Sequence, residues 1–141
     1  MMTEAETNQR CLLLMYLDLD GFKAVNDYWG HDVGDRALCH AAASLTRAAG
    51  PQALLGRYGD DELVVAVQLE NEETVELVAN EVIKAMREPM SIGERQIVTT
   101  ASIGVVTAEH CRNRPEDLLR LADLAMFSAK RAGRDTWNQH S

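Results

Sequence analysis

Two short apolar runs, Ala53–Leu55 and Leu63–Val67, face each other in mid-chain across Arg57-Tyr58-Gly59-Asp60-Asp61-Glu62. This spacing predicts a β-hairpin with Gly59-Asp60 as a two-residue loop and strands near 53–58 and 62–69. A central hairpin rules out a purely alternating βα chain, and so constrains the fold more than any other stretch. It also crowds three carboxylates, Asp60, Asp61 and Glu62, into one turn. Like charges this close repel unless a cation sits over them. Alone, the turn reads as a solvated acidic loop. A second acidic pair, Asp18 and Asp20, ends another apolar run and gives the cluster more weight.

That other run, Cys11–Leu17, reads as a buried strand closed by Asp18-Leu19-Asp20-Gly21. Phe22 to Trp29 reads as a short helix ending at Gly30. Gly34-Asp35 is expected to open a longer helix to about Ala49, with Leu38, Ala41, Ala42, Leu45 and Ala49 as its apolar stripe. Asn71 is expected to cap the next helix, with Glu72 and Glu73 in its first turn. Its core face is Val75, Val78, Val82, Ile83 and Met86, and Pro89 ends it. Met90–Ile92 turns through Gly93-Glu94 into a strand from about Gln96 to Val106. Asn113-Arg114-Pro115-Glu116-Asp117 starts a helix with Pro and acids in its first turn. Its stripe is Leu118, Leu121, Ala122, Ala125, Met126 and Ala129. Gly133 stops it before a short last strand at Thr136-Trp137. The order predicts an α+β sandwich: a mixed, mostly antiparallel sheet of about five strands flanked by helices.

With 141 residues the chain is long enough for one domain with an ordinary core. A net charge of −8 disfavours nucleic-acid polymers and anionic membranes as partners. A small phosphate ligand stays open, provided metal ions or a few local cations offset the field. Cys11, Cys39 and Cys111 are odd in number and scattered, so reduced thiols in a cytoplasmic protein are expected. Met1–Arg10 is polar and acidic, unlike a signal peptide, and reads as a disordered or appended leading segment. Residues 11–141 then form the domain. Its longest apolar run is too short to span a membrane.

If the first strand lies beside the hairpin, Asp18 and Asp61 meet at one end of the sheet. Hard oxygen ligands with positions left open for phosphate oxygens suit Mg²⁺ or Mn²⁺. Two such ions can activate an attacking hydroxyl and stabilise a leaving pyrophosphate. The plain alternative is a strand end and a turn, which composition alone favours equally. Lys130 and Arg134, four apart, either complement a helix C-terminus or contact phosphates. Arg57 reads as a structural ion-pair partner of the acidic turn. Asp35 can accept two hydrogen bonds from a guanine edge, with Asn26 in support, or both are ordinary helix-surface residues. Cys39, His40 and the Met residues read as core or surface, and His31 is given no role.

Five motifs then converge. Asp18-Leu19-Asp20-Gly21-Phe22-Lys23-Ala24-Val25-Asn26-Asp27 resembles D-x-D-x-F-K-x-x-N-D, and Gly30-His31-Asp32-Val33-Gly34-Asp35 resembles G-H-x-x-G-D. Arg57–Leu63 stands where R-Y-G-G-D-E-F belongs. Thr100–Val105 resembles T-x-S-I-G-V, and Ala122–Arg134 resembles A-D-x-A-M-Y-x-A-K-x-x-G-R. In this order, over about Leu12–Trp137, they resemble the GGDEF, or diguanylate cyclase, domain of bacterial second-messenger signalling. The resemblance implies a fold like nucleotidyl cyclases and polymerase palms. It implies two domains meeting face to face as an antiparallel homodimer, each with one GTP and Mg²⁺ (or Mn²⁺), making cyclic di-GMP and pyrophosphate. Carried over by position, Asp18 and Asp61 are metal ligands assisted by the Leu19 carbonyl. Asn26 and Asp35 read guanine, and Lys130 and Arg134 hold terminal phosphates. Gly59 and Asp60 form the loop near the nucleotide, and Glu62 helps deprotonate the attacking hydroxyl.

Three departures qualify this. Asp60 replaces the second Gly of the motif and Leu63 its Phe. The Leu change keeps an apolar group. Asp60 adds bulk and charge where the turn approaches phosphate, a repulsion of roughly one to three decades in affinity or rate. Gly50-Pro51-Gln52-Ala53 stands where an R-x-x-D product-inhibition site would be, so no inhibitory site is expected. The opening D-x-L-T-G-L-x-N-R is not recognisable in Met1–Arg10, as expected of a piece of a longer protein that can carry a membrane anchor and fused sensory or EAL domains. Two readings follow: an active cyclase tolerant of Asp60, or a degenerate domain that binds GTP or regulates a neighbouring EAL phosphodiesterase. Asp60 favours the second. A receiver domain, suggested by the early acids and late Lys, conflicts with the central hairpin.

Overall fold

The computed structural model describes residues 11–71, 74–109 and 114–140. In order these are β1 (Cys11–Asp20), α1 (Phe22–Trp29), α2 (His31–Ala49), β2 (Leu54–Arg57), β3 (Glu62–Leu69) and α3 (Val75–Met86). β4 (Met90–Ile92), β5 (Arg95–Ile97), β6 (Thr100–Glu109), α4 (Pro115–Arg131) and β7 (Thr136–Gln139) complete the chain. The main sheet runs β2-β3-β1-β6-β7, and β4 and β5 form a separate hairpin. β1 is antiparallel to both its neighbours, and only β7 runs parallel to its partner, β6. This is the mixed, mostly antiparallel α+β architecture that the element order predicts.

A central strand covered on both faces must be apolar throughout, which accounts for the unbroken run of β1. Leu13, Met15, Leu17 and Leu19 share one core with α2 and α3 residues such as Leu38, Leu45, Val82 and Ile83. Leu14 and Tyr16 point the other way, into a second core with Leu118, Ala122 and Met126 of α4. Each fully buried Leu or Met contributes about 1.5–3 kcal/mol. Thirty-four hydrophobic side chains are buried among the described residues, enough to fix the register of β1 against both neighbours. Gly104 of β6 is where α4 touches the sheet: a Cβ there would overlap the Ala122 carbonyl and the Met126 amide nitrogen.

Four local expectations need correction. α2 begins at His31, a turn before Gly34, because Gly30 takes φ 93° and separates the two helices within a single residue. The expected strand from Gln96 is two strands: β5 pairs back on β4, and Val98-Thr99 carries the chain across to β6 beside β1. α3 begins at Val75 with Thr74 at its N-cap, while Glu72 and Glu73 lie outside the described residues. The acidic turn has three residues, 59–61, closed by Tyr58 N–H donating to the Glu62 carbonyl at 2.9 Å. None of its residues has positive φ. The Arg57 guanidinium supplies what a left-handed turn otherwise would, donating to the Gly59 carbonyl at 2.9 Å and the Asp60 carbonyl at 3.3 Å. The leading segment Met1–Arg10, Cys111 and Asn113 lie outside the described residues.

Candidate functional site

The register β1↔β3 sets Asp18 opposite Glu62, and Leu19 N–H donates to the Asp61 carbonyl at 3.0 Å. The end of the first strand and the acidic turn therefore meet, as the carboxylate pattern requires. Asp18 is only 8% exposed, yet its carboxylate is within hydrogen-bonding reach of the Asp61 carboxyl. Burial first, then the Asp18 charge, its hydrogen bond and Glu62, hold the Asp61 carboxyl above the usual carboxylate range. The corner is short of positive charge. Among the described residues Lys130, in the last turn of α4, answers it by placing Nζ on Asp18 Oδ2.

Glu62 opens β3 and receives a hydrogen bond from the Tyr16 hydroxyl at 3.2 Å. Burial, then the charges of Glu62 and Asp123, push the Tyr16 pKa up to about 12, so it stays a donor at neutral pH. Tyr16 also packs against Tyr58, ring centroids 6.0 Å apart, tying the hairpin to β1. Its place in an apolar run marks Tyr16 only as part of a buried strand. The available signal was a lone hydroxyl in an otherwise apolar run, two residues before Asp18 and so on its face. Gly59 lies against Glu62, where an added Cβ would come 2.6 Å from Oε1. Asp60 points outward: its side chain is fully exposed, with Arg57 at 3.8 Å. In such a solvated position its repulsion of a phosphate falls to the water-like end, about tenfold at most.

Asp20, the second acid of β1, is a structural hub. Its side chain is 7% exposed and accepts from Thr100 Oγ1 and Ser102 Oγ, both at 2.7 Å, and from Asp135 N–H at 3.0 Å. Arg134 lies 3.9 Å from it, just beyond the end of α4. Lys130 and Arg134 thus reach the two acids of β1, although only Lys130 is helical.

Asn26 and Asp35 form a second group at the corner of α1 and α2. Asn26 is half-buried with its amide laid on Gly34, where a Cβ would overlap Oδ1, and Asp35 follows, exposed. Among the described residues no hydrogen bond or ion pair joins this group to the carboxylates. Two grooves lie outside the Asp18–Asp61 corner, the second bordered by Asp20. One, about 450 Å³, runs between α3 and β7 beside Trp137; the other, about 530 Å³, lies between α1 and β5.

Comparison with known proteins identifies the family of the fold. The family model "Diguanylate cyclase, GGDEF domain" matches residues 1–136. This chain belongs to the GGDEF family. The bifunctional diguanylate cyclase/cyclic di-GMP phosphodiesterase MucR of Pseudomonas aeruginosa is 31% identical over 132 residues, 94% of this chain and 19% of MucR. The probable diguanylate cyclase DgcC of Escherichia coli is 33% identical over 131 residues, 91% of this chain and 34% of DgcC. The solved GGDEF domain of TpbB (YfiN) from P. aeruginosa superposes with TM-score 0.87 at 28% identity, covering 98% of this chain and 81% of that one. The GGDEF domain spans between 16% and 19% of the first four curated relatives it matches. It is therefore a domain of cyclic di-GMP signalling with the palm-like α+β fold of its relatives. No described helix is long and apolar enough to cross a membrane.

Proposed function

We propose that this GGDEF domain binds GTP with Mg²⁺ (or Mn²⁺) at the Asp18–Asp61 corner, and that Asp60 weakens diguanylate cyclase chemistry there without closing the site. The observation that carries this reading is two carboxylates brought within hydrogen-bonding reach, with Lys130 paired to Asp18. Such a pair is costly without positive charge and suits a divalent ion. Among the described residues no three His, Cys, Asp or Glu side chains gather as a closed metal site. An open oxygen set completed by nucleotide phosphates and water is how Mg²⁺ is usually held. The Leu19 carbonyl is assigned as the third protein ligand.

A divalent ion held by Asp18, Asp61 and the Leu19 carbonyl would supply polarisation of the α-phosphate and charge neutralisation for the departing pyrophosphate. Lys130 and Arg134 take the terminal phosphates. Glu62, oriented by Tyr16, receives the proton of the 3′-hydroxyl as its oxygen forms a bond to the α-phosphorus of the other GTP. The bond from that phosphorus to pyrophosphate breaks, and a second copy arranged antiparallel repeats the step to give cyclic di-GMP. Asn26 and Asp35 select guanine, with Gly59 and Asp60 at the edge of the site. Residues 11–141 are assigned as the folded unit, fused to sensory or EAL domains in a cytoplasmic part of a longer protein.

A second reading rests on the company the chain keeps: relatives at 32% identity include the cyclic di-GMP phosphodiesterases NbdA and PdeR. Here the domain binds GTP to regulate an adjacent phosphodiesterase, with no turnover of its own. Calorimetric titration with GTP and Mg²⁺, with ATP as control and EDTA in place of the metal, tests what both readings share. GTP-selective, metal-dependent heat is expected; equal binding of ATP refutes the guanine assignment.

A further inference from the structure

The segment after α4 is strained. Gly133, Arg134 and Asp135 take φ of 119°, 65° and 48° in succession. Asp visits the left-handed region more readily than most residues, but Arg has no such tendency. A non-glycine residue stays there only where its surroundings over-determine it. Here they do so from both sides. On one side Asp20, saturated by Thr100 and Ser102, accepts the Asp135 N–H. On the other, Arg87 just beyond α3 donates Nε–H to Asp135 Oδ1 at 2.7 Å and a second N–H to the Asp135 carbonyl at 3.3 Å. Arg134 N–H donates to the Ala129 carbonyl at 3.1 Å, which ties the segment back to the helix. Arg134 therefore sits between two clamps, its guanidinium directed to the end of β1.

We propose that Arg87, acting through Asp135, is a positioning residue that holds Arg134 ready for the terminal phosphates of a bound nucleoside triphosphate. This rests on the assignment of Arg134 to phosphate made above. Asp20 cannot serve as a clean probe, because it stands two residues from Asp18. Arg87 can: it is exposed, and its guanidinium makes both of these donations to Asp135. Without it the 133–135 segment loses one of its three restraints and relaxes toward right-handed conformations. The cost falls on the contact that Arg134 makes, while the carboxylate corner and the guanine group are left alone.

The test is a double-mutant cycle read by calorimetry with GTP and Mg²⁺ on the natural chain, Arg87→Ala, Arg134→Ala and the double variant. Loss of a charge-assisted phosphate contact predicts that Arg134→Ala weakens GTP by about 10- to 100-fold. Arg87→Ala is expected to weaken it by about fivefold, the scale of a well-formed surface pair. The double variant should bind like Arg134→Ala alone, since Arg87 acts only through Arg134. Arg87→Lys, which keeps the charge on Asp135, should recover part of the loss. Thermal unfolding midpoints within a few degrees of each other establish that all variants fold. If Arg134→Ala weakens GTP while Arg87→Ala does not, or if the two losses add in full, the positioning role is refuted and the phosphate assignment stands. If the natural chain does not bind GTP, or Arg134→Ala changes nothing, the phosphate assignment itself falls and takes the proposal with it.

Discussion

Replacing Asp61 by Asn should make the ligand-free domain more stable while removing its response to metal. Asp61 is half-buried, and its carboxyl stands within hydrogen-bonding reach of the buried Asp18. Two charges at about 4 Å repel by roughly 1–4 kcal/mol between water-like and protein-surface dielectrics. Lys130 on Asp18 offsets part of this, and exposure of Asp61 screens more. A net gain of about 1 kcal/mol remains for the amide, or about 3–5 °C in Tm for a domain of this size. The Asp61 backbone carbonyl keeps its bond from Leu19, so the turn itself is undisturbed. The sign with pH follows from the raised Asp61 pKa. Below the ordinary aspartate value of 3.8 both the folded and unfolded chains hold the proton, and the natural residue carries no penalty. As pH rises from there through the raised folded-state value, the folded chain must give up a proton it holds more tightly, and stability is lost. The Asn variant should therefore gain on the natural chain between acid and neutral pH. Parallel thermal unfolding, followed by circular dichroism across that range, reads the difference directly. Adding Mg²⁺ with GTP at 100 times its Kd should raise the natural domain by about 2.7 kcal/mol and leave the variant unmoved. An Asn variant less stable than the natural chain at neutral pH, or a difference that ignores pH, would refute the account of this corner.

Gly104→Ala should cost about 3 kcal/mol or prevent folding, because its Cβ meets α4 backbone on both sides; denaturant unfolding checks it. Gly34→Ala should leave stability nearly unchanged but push the Asn26 amide off its seat, lowering the preference for GTP over ATP in a competition titration. Spectrophotometric titration of the three tyrosines should show one, absent in Tyr16→Phe, that ionises last, at about pH 12. A Tyr16→Phe chain whose remaining tyrosines still include the late one contradicts the assignment.

What the sequence made legible, and what it did not, follows from how far each signal reaches. β1 and the stripe of α4 were readable because burial on both faces, or on one helical face, imposes a period on side-chain type. The meeting of Asp18 and Asp61 was readable because an apolar run ending in acid and a hairpin carrying acid have few ways to share a sheet. The three-residue loop was not, because its geometry depends on Arg57 reaching carbonyls two and three residues away, and a Gly-Asp pair looks the same in either turn. The break at Val98-Thr99 was hidden inside an acceptable strand pattern, and only the competing partners β4 and β1 decide it. Asp20 looked like a second member of an acidic pair, yet its role is set by Thr100 and Ser102, eighty or more residues away. Residue type alone makes Asp60 an obstacle, and its full exposure beside Arg57 reduces that effect.

The most direct measurement is the affinity of the natural chain for GTP with Mg²⁺, set against that of Asp60→Gly under the same conditions. Because the Asp60 carboxylate is solvated and answered by Arg57, both should bind, and the Gly variant should gain tenfold at most. Binding by Asp60→Gly alone, with none by the natural chain, would contradict it and mark the site as closed by its own signature motif.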